Sequence, residues 1–471
     1  MFDLVLEGGR VVTAGMDGLA DIGIKDGRIA ALGTGLSGPR INVEGKLILP
    51  GGLDMHVHLT EYPLPENERA GYPPGTTEIR WVDDFESGTR AAAAGGVTTV
   101  GNMSYARENE GLLEMLDRTA RAASSTSFVD FVLHGVVTHP DAKTLADIAS
   151  MPAQGHTSIK FFLSKGHFEH RIPDFVNVLR VAGEHGVLPM AHCEDAGICH
   201  HLSAHLTAQG KTSAEYYPAS RPDYSEESAI TRAIALAHAA DSPLYIVHVS
   251  TLDGVLAIDR ARMRGWPVFA ETRPLYLYQS DDVHTRPDAA KYVGRPPVRS
   301  PRDVDGMWDA MASRVIDTYC TDHAPYLLAD KLAPDLNVAN AFKAGHADLD
   351  TALPQLFDAT VHKRGWSVQR FVELTATNAA RIFGLFPRKG TIAIGADADL
   401  VVWDPQVTKT IDSQTTQSRS DFSLYDGQTV TGWPVMTIVR GNIVFQSGKI
   451  EGAAGYGSLA HRNSASRTAA F

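Results

Sequence analysis

Cysteine is scarce in this chain: Cys193, Cys199 and Cys320 are the only three in 471 residues, and no two form a CxxC pair. That argues against a disulfide framework or a cysteine-based zinc knot and suits a reducing, cytoplasmic setting. No apolar stretch approaches the roughly 18 residues of a membrane span, and the opening MFDLVLEGGRVV is not a charged-then-apolar leader, so neither a transmembrane helix nor a signal peptide is expected. Basic charge is also in deficit. Against 55 acidic side chains there are 43 lysines and arginines, net −12, with no basic run; nucleic acid and anionic membrane are poor partners for such a surface, and a small-molecule substrate fits better. Internal repeats and low-complexity blocks are missing too.

What is present is an average globular composition, 44% hydrophobic and 21% charged, over a length that suits one large domain and a smaller one. The first fifty residues read as short strands with tight turns, including the hairpin dipeptide Asp26-Gly27, and the same texture returns in GTIAIGADADLVVWDP and VMTIVRGNIVFQSGKI. Residues 1–50 and 385–450 are therefore expected to combine into a β-sandwich. Between them, over 51–384, eight apolar strands alternate with amphipathic helical stretches: GLDMHVHL, GVTTVGNM, FVDFVLHGVV, SIKFFLS, VLPMAHC, PLYIVHVS, WPVFAETR and VIDTYCTDHAP. Eight such alternations predict an α/β (β/α)8 TIM barrel, a doubly wound sheet being the alternative. The third connection is the thinnest, with only AKTLADIAS helix-like. The tail, 451–471, is small and polar without periodicity and is expected to be frayed or laid against a neighbouring subunit.

Polar residues fall at the carboxyl ends of the predicted barrel strands, where reactive groups of this architecture gather. His56 and His58 end strand one, Lys160 lies in strand four, His192 in strand five, His248 in strand six and Asp322 at the end of strand eight. Residues two apart on a strand face the same way, as two ligands of one ion must. Singly, each histidine is equally well a satisfied core residue, and Asp322 equally well a cap. Jointly, four histidines, an aspartate and a lysine at five strand ends point to divalent metal, too widely spread for a single tetrahedral ion. Lys160, inside the apolar run TSIKFFLSKG, needs a reason, because burying an ammonium costs several kcal/mol unless it loses its proton or gains a partner.

An ordered series of motifs spans nearly the whole chain: GGLDMHVHL, DDFESGTRAAAAGGVTTV, IKFFL, AHCED, GKTSAEYYPASRP, LYIVHVST, KYVGRPPVR, TDHAP and FVELTATNAARIFGLFPRKGTIAIGADADLVVWDP. In these the sequence resembles the amidohydrolase superfamily and, within it, the hydantoinase and dihydropyrimidinase group, with dihydroorotase and allantoinase as cousins. The resemblance implies a carboxylated Lys160 (N6-carboxylysine, formed with CO2 or bicarbonate) bridging two divalent ions, most often zinc. His56, His58 and Asp322 would hold one ion, His192 and His248 the other. It further implies hydrolysis of a cyclic amide or imide by a water acidified between the ions, Asp322 carrying the proton, in a homo-oligomer, dimer or tetramer.

Three departures concern the substrate pocket. KFFLSKG lacks the tyrosine that such relatives carry after the bridging lysine; Tyr326, His167 and His170 are candidates to replace it as oxyanion donor. VGRPPVR places Arg295 where a Ser-Pro-Pro turn is usual, and FKAGHAD stands for an Asn-Gly contact. Arg295, and similarly Arg273, could favour a substrate bearing a carboxylate. Two other readings stay open: a dihydroorotase-, allantoinase- or lactone-like hydrolase, and a non-catalytic dihydropyrimidinase-related scaffold, for which eroded ligands would be expected.

Overall fold

The structure is a computed structural model that describes residues 1–65, 67–72, 79–338 and 342–464. The chain begins in short strands, β1 (Leu4–Glu7), β2 (Arg10–Val12), β3 (Asp17–Leu19), β4 (Asp21–Lys25), β5 (Arg28–Gly33), β6 (Arg40–Asn42) and β7 (Leu47–Pro50). The β4–β5 hairpin turns at Asp26 and Gly27, both at positive φ (51° and 73°). That pair of left-handed residues gives the twist a two-residue hairpin requires, as the dipeptide predicts.

The chain then enters eight parallel strands, β8 (Gly52–Val57), β9 (Val97–Ser104), β10 (Asp130–Val136), β11 (Ser158–Phe162), β12 (Leu188–His192), β13 (Leu244–Ile246), β14 (Val268–Thr272) and β15 (Thr318–Tyr319), which neighbour one another in sequence order. Almost every residue of these strands is buried, which is why they read as continuous apolar runs rather than alternating ones. Past the ends of β15 and β8 the ring is drawn together by a parallel bridge between Val57 and His323 and by the bond from His58 N–H to the His323 carbonyl at 2.8 Å. The thin third connection does form a helix, Ala142–Ser150, capped by the Asp141 carboxylate on Thr144 N–H.

Four strands return to the first unit: β16 (Leu400–Thr410), β17 (Thr429–Val439), β18 (Asn442–Gln446) and β19 (Lys449–Ile450). They extend β7, β2 and β3 into a seven-stranded sheet that lies apart from the four-stranded sheet β5-β4-β1-β6. Leu6, Ile22, Ile24, Ile48, Val402 and Ile438 are buried together in the core of this unit. The crossing from β7 into β8 passes Gly51, where a Cβ would collide with the Thr98 side chain, so only glycine admits the close approach.

The tail departs from expectation. Over its described residues it is not frayed but docked on its own barrel: Gly457 N–H bonds the Ser127 carbonyl at 2.8 Å, and Ala460 N–H bonds that of Phe131 at 2.8 Å. Arg462 is buried and donates to Ser158 Oγ (2.7 Å) and the Leu133 carbonyl (2.9 Å). Few apolar residues are needed for this, because the docking is made by backbone and guanidinium hydrogen bonds; residues 465–471 lie outside the described part.

Candidate metal centre and active site

His56 is the last residue but one of β8 and His58 follows the strand, and their Nε2 atoms lie 3.2 and 3.1 Å from the same Asp322 Oδ1. One ligand atom from each of the three lies within 4.8 Å of the others, and all three residues are buried. Across the barrel mouth, His192 at the end of β12 and His248 after β13 meet with rings 4.7 Å apart and nearly perpendicular, Nδ1 to Nε2 at 3.0 Å. The His56 and His248 rings are 5.4 Å apart, so the two groups share one space. His248 and Asp322 both adopt positive φ, 38° and 50°, a left-handed conformation that costs a non-glycine residue about 1 to 3 kcal/mol and is typical of functional positions.

Lys160 is fully buried on β11, and its Nζ has no hydrogen-bond partner among the described residues. The amine stands 5.2 Å from the centre of the Phe162 ring, and Phe162 in turn packs on His192. Burial pushes Lys160 down to about 8, against the pull of Glu271 and Asp322, so far more of it is neutral amine near pH 7 than of an ordinary lysine. Burial likewise pushes His58 and His192 down to about 4 and His248 well below its usual value. These imidazoles are therefore neutral at pH 7 and keep a lone pair free, which is the form that ligates. Asp322 is opposite: burial would raise it, but Arg273, His56 and His58 outweigh that and hold it well below the ordinary carboxylate range.

The family model described as amidohydrolase family matches residues 47–444. The D-hydantoinase of Rhizobium radiobacter is 33% identical over 458 residues, 96% of this chain and 97% of that protein. The dihydropyrimidinase of Brevibacillus agri NCHU1002 superposes with a TM-score of 0.90 at 31% identity, covering 98% of this chain and 99% of that one. For the L-hydantoinase of Arthrobacter aurescens the TM-score is 0.85 at 29% identity, over 98% and 100% of the two chains. This chain belongs to the amidohydrolase family.

In this amidohydrolase a second layer of charged side chains holds the imidazoles, and the sequence reading passed over it. Glu271, at the end of β14, accepts from His56 Nδ1 and, through its other oxygen, from Tyr245 OH at 2.7 Å. Glu194 stands 2.7 Å from His192 Nε2 and is itself paired with Arg221 at 2.9 Å. Tyr105 places its hydroxyl 3.2 Å from His58 Nδ1. Such partners select which ring nitrogen is free and fix the plane of the ring. A signal existed: Glu194 sits two residues beyond His192, and Glu271 interrupts the apolar run VFAE.

Of the pocket candidates, Tyr326 is buried beside Trp81 and Ala324, and Trp81 packs 4.8 Å from the His58 ring. Burial pushes its phenol up to about 12, with Arg295 opposing. His167 packs on Phe175, 6.2 Å between centroids, and its buried Nε2 has no partner among the described residues. His170 is exposed at the end of the same short helical turn. Neither of these two histidines hydrogen-bonds a residue of the centre among the described residues. Arg273 is fully buried, with one nitrogen on Asp322 Oδ2 and another 3.0 Å from Tyr276 OH; it serves the aspartate and is not free to meet a substrate carboxylate. Arg295 is partly buried, and its Nε has no partner among the described residues.

Proposed function

We propose that this amidohydrolase opens the C–N bond of a cyclic amide or imide, as a hydantoinase or dihydropyrimidinase does, with two divalent ions in each subunit. The observation that carries the reading is the convergence of four imidazoles and one carboxylate held in its ionised form at the barrel mouth that also holds a buried lysine amine with no hydrogen-bond partner among the described residues. The donor set, nitrogen with carboxylate oxygen, suits zinc. His56, His58 and Asp322 would hold one ion and His192 and His248 the other. Lys160, in its neutral form, would add to CO2, forming one N–C bond and releasing one proton, and as N6-carboxylysine would be a further oxygen donor to the ions. When bound, the ions supply an acidified water as nucleophile and polarise the ring carbonyl.

The remaining steps belong to the chain. Asp322 takes up a proton on its carboxylate and delivers it to the departing ring nitrogen, which leaves poorly without it. Arg273 holds that carboxylate in place, and Glu271 and Glu194 keep His56 and His192 facing inward. Of the three candidates for the oxyanion donor we favour Tyr326, which is buried beside Trp81, whose ring packs on His58. A scaffold without activity would not need this complete set of ligands.

Three buried, free cysteines support a reducing, cytoplasmic setting, and the likeness to hydantoinases supports a homo-oligomer, dimer or tetramer. No described helix is long and apolar enough to cross a membrane. The test is a hydrolysis panel of hydantoins, dihydropyrimidines, dihydroorotate, allantoin, cyclic imides and lactones, run beside metal analysis of Asp322→Asn. That variant should retain much of its metal and lose turnover; an active Asp322→Asn enzyme would remove the proposed proton carrier.

A further inference from the structure

Three of the four imidazoles have a partner on the ring nitrogen that faces away from the centre: Glu271 on His56, Tyr105 on His58 and Glu194 on His192. His248 is the exception. Its Nε2 faces His192 Nδ1 at 3.0 Å, but its buried Nδ1 has no partner among the described residues. A ring with nothing on its far nitrogen lacks the bond that usually fixes its plane. His248 also carries the positive φ of 38° that a non-glycine residue keeps only where its surroundings impose it. Its direction therefore comes from packing on the His56 and His192 rings and from the main chain on either side.

The turn that carries His248 is held at both ends. On one side, Glu271 Oε1 accepts from His248 N–H at 3.2 Å and the Glu271 carbonyl from Val249 N–H at 2.8 Å. On the other, Ser250 gives both its donors to one carboxylate, its N–H to Glu226 Oε1 at 2.7 Å and its hydroxyl to Glu226 Oε2. Arg299 closes over this contact, with Nη2 3.1 Å from Glu226 Oε2 and Nε 3.0 Å from Ser250 Oγ. Its third nitrogen, Nη1, donates to the Arg221 carbonyl at 2.6 Å, and the Arg221 side chain is the one that pairs with Glu194 behind His192. Ser250, Glu226 and Arg299 are all buried. One guanidinium thus braces the turn of His248 and the residue that steadies the partner of His192, and the circuit closes where the two rings meet.

A buried ion pair is a poor source of stability, because apolar side chains of similar volume often replace it without loss. What a planar fork with fixed donors supplies is direction. Neither Glu226 nor Arg299 hydrogen-bonds His56, His58 or Asp322 among the described residues, so the pair acts on the His192–His248 side of the centre. We propose that Arg299 and Glu226 are positioning residues for His248 and, through Arg221, for His192, and that they set the affinity of the ion those two histidines hold while leaving that of the other ion alone. The inference rests on the two-ion reading of the site.

The test is a calorimetric titration with zinc, in bicarbonate buffer, of the full chain freed of metal by a chelator. Wild type, Arg299→Met, Arg299→Lys and Glu226→Gln are compared, with urea midpoints measured alongside, and His248→Ala identifies which binding step belongs to the His192–His248 ion. Arg299→Met and Glu226→Gln should each weaken that step about 10- to 100-fold, the effect of losing a group that orients a ligand, and change the other step less than about threefold. Arg299→Lys keeps the charge beside Glu226 but loses the fork, and should fall between Arg299→Met and wild type. If Arg299→Met does not fold, Glu226→Gln and Arg299→Lys decide the matter in the same way. Equal weakening of both steps, or both steps unchanged whatever the urea midpoint, makes the pair a structural prop and overturns the proposal. A wild type that binds fewer than two ions overturns the two-ion reading. If its single ion is then lost in His248→Ala and weakened in Arg299→Met and Glu226→Gln, the positioning role stands without that reading; any other result overturns both.

Discussion

On the proposed reading, Lys160 concentrates the chemistry of the centre in one side chain. A lysine surrounded by apolar strands, with no hydrogen-bond partner among the described residues and an amine pushed down to about 8, is poorly explained as a structural cation. The carboxylation proposed above accounts for it, because a lowered lysine offers more of the neutral form that adds to CO2. Lys160→Ala should lose metal and lower kcat/KM by about a thousandfold, the scale of several kcal/mol of metal-derived stabilisation, with partial recovery when a short carboxylic acid is added. Metal analysis and kinetics with and without propionate check this, and normal activity without the acid would remove the bridging role. Glu271→Gln keeps the shape but weakens the hold on His56; chelator titration should show metal affinity reduced about 10- to 100-fold.

Between elements, the joint of barrel and sandwich turns on Lys389. It is buried, donates to Asp130 at the start of β10 at 2.8 Å, is paired with Asp399 just before β16, and lies 3.4 Å from Asp397. Asp130 also accepts from the tail at Ser458 N–H, 3.0 Å away, so one ammonium organises three segments of the chain. Lys389→Ala leaves the buried Asp399 without its cation and Asp130 with Arg440 alone, and should cost about 3 to 5 kcal/mol in urea unfolding. Lys46→Ala, which breaks the more exposed pair with Asp404, should cost less than about 1 kcal/mol. Equal losses in the two variants would contradict the assignment of Lys389 as the buried joint.

For the molecule as a whole, pH acts through carboxyl groups that folding has desolvated. Asp350, in the loop after β15, accepts from Gln417 N–H at 2.8 Å and is pushed up to about 6 by burial. Its folded form holds a proton that the unfolded chain has released by about pH 4, so its stabilising contribution is full below that value and is lost as pH rises through about 6. Relative to Asp350→Asn, wild type should therefore lose about 1 to 3 kcal/mol between pH 4 and pH 6, measured as the difference of urea midpoints. A difference that grows in the other direction would mean the carboxylate is stabilised in place.

The linear order of residues was enough for the eight-fold alternation of strand and helix, for the Asp26-Gly27 hairpin and for the positions of His56, His58, Lys160, His192, His248 and Asp322. All of these are encoded locally, by period and by place at a strand end. Tertiary structure alone decided what those residues touch. Glu271 reaches His56 across 215 positions, and Arg273 reaches Asp322 across 49. The tail meets the barrel at Leu459 and Phe131, and the ring is drawn together between Val57 and His323. No periodicity announces such pairs, because a hydrogen bond between distant segments leaves no trace in the spacing of either one; it exists only once packing has removed the water that would otherwise satisfy both ends.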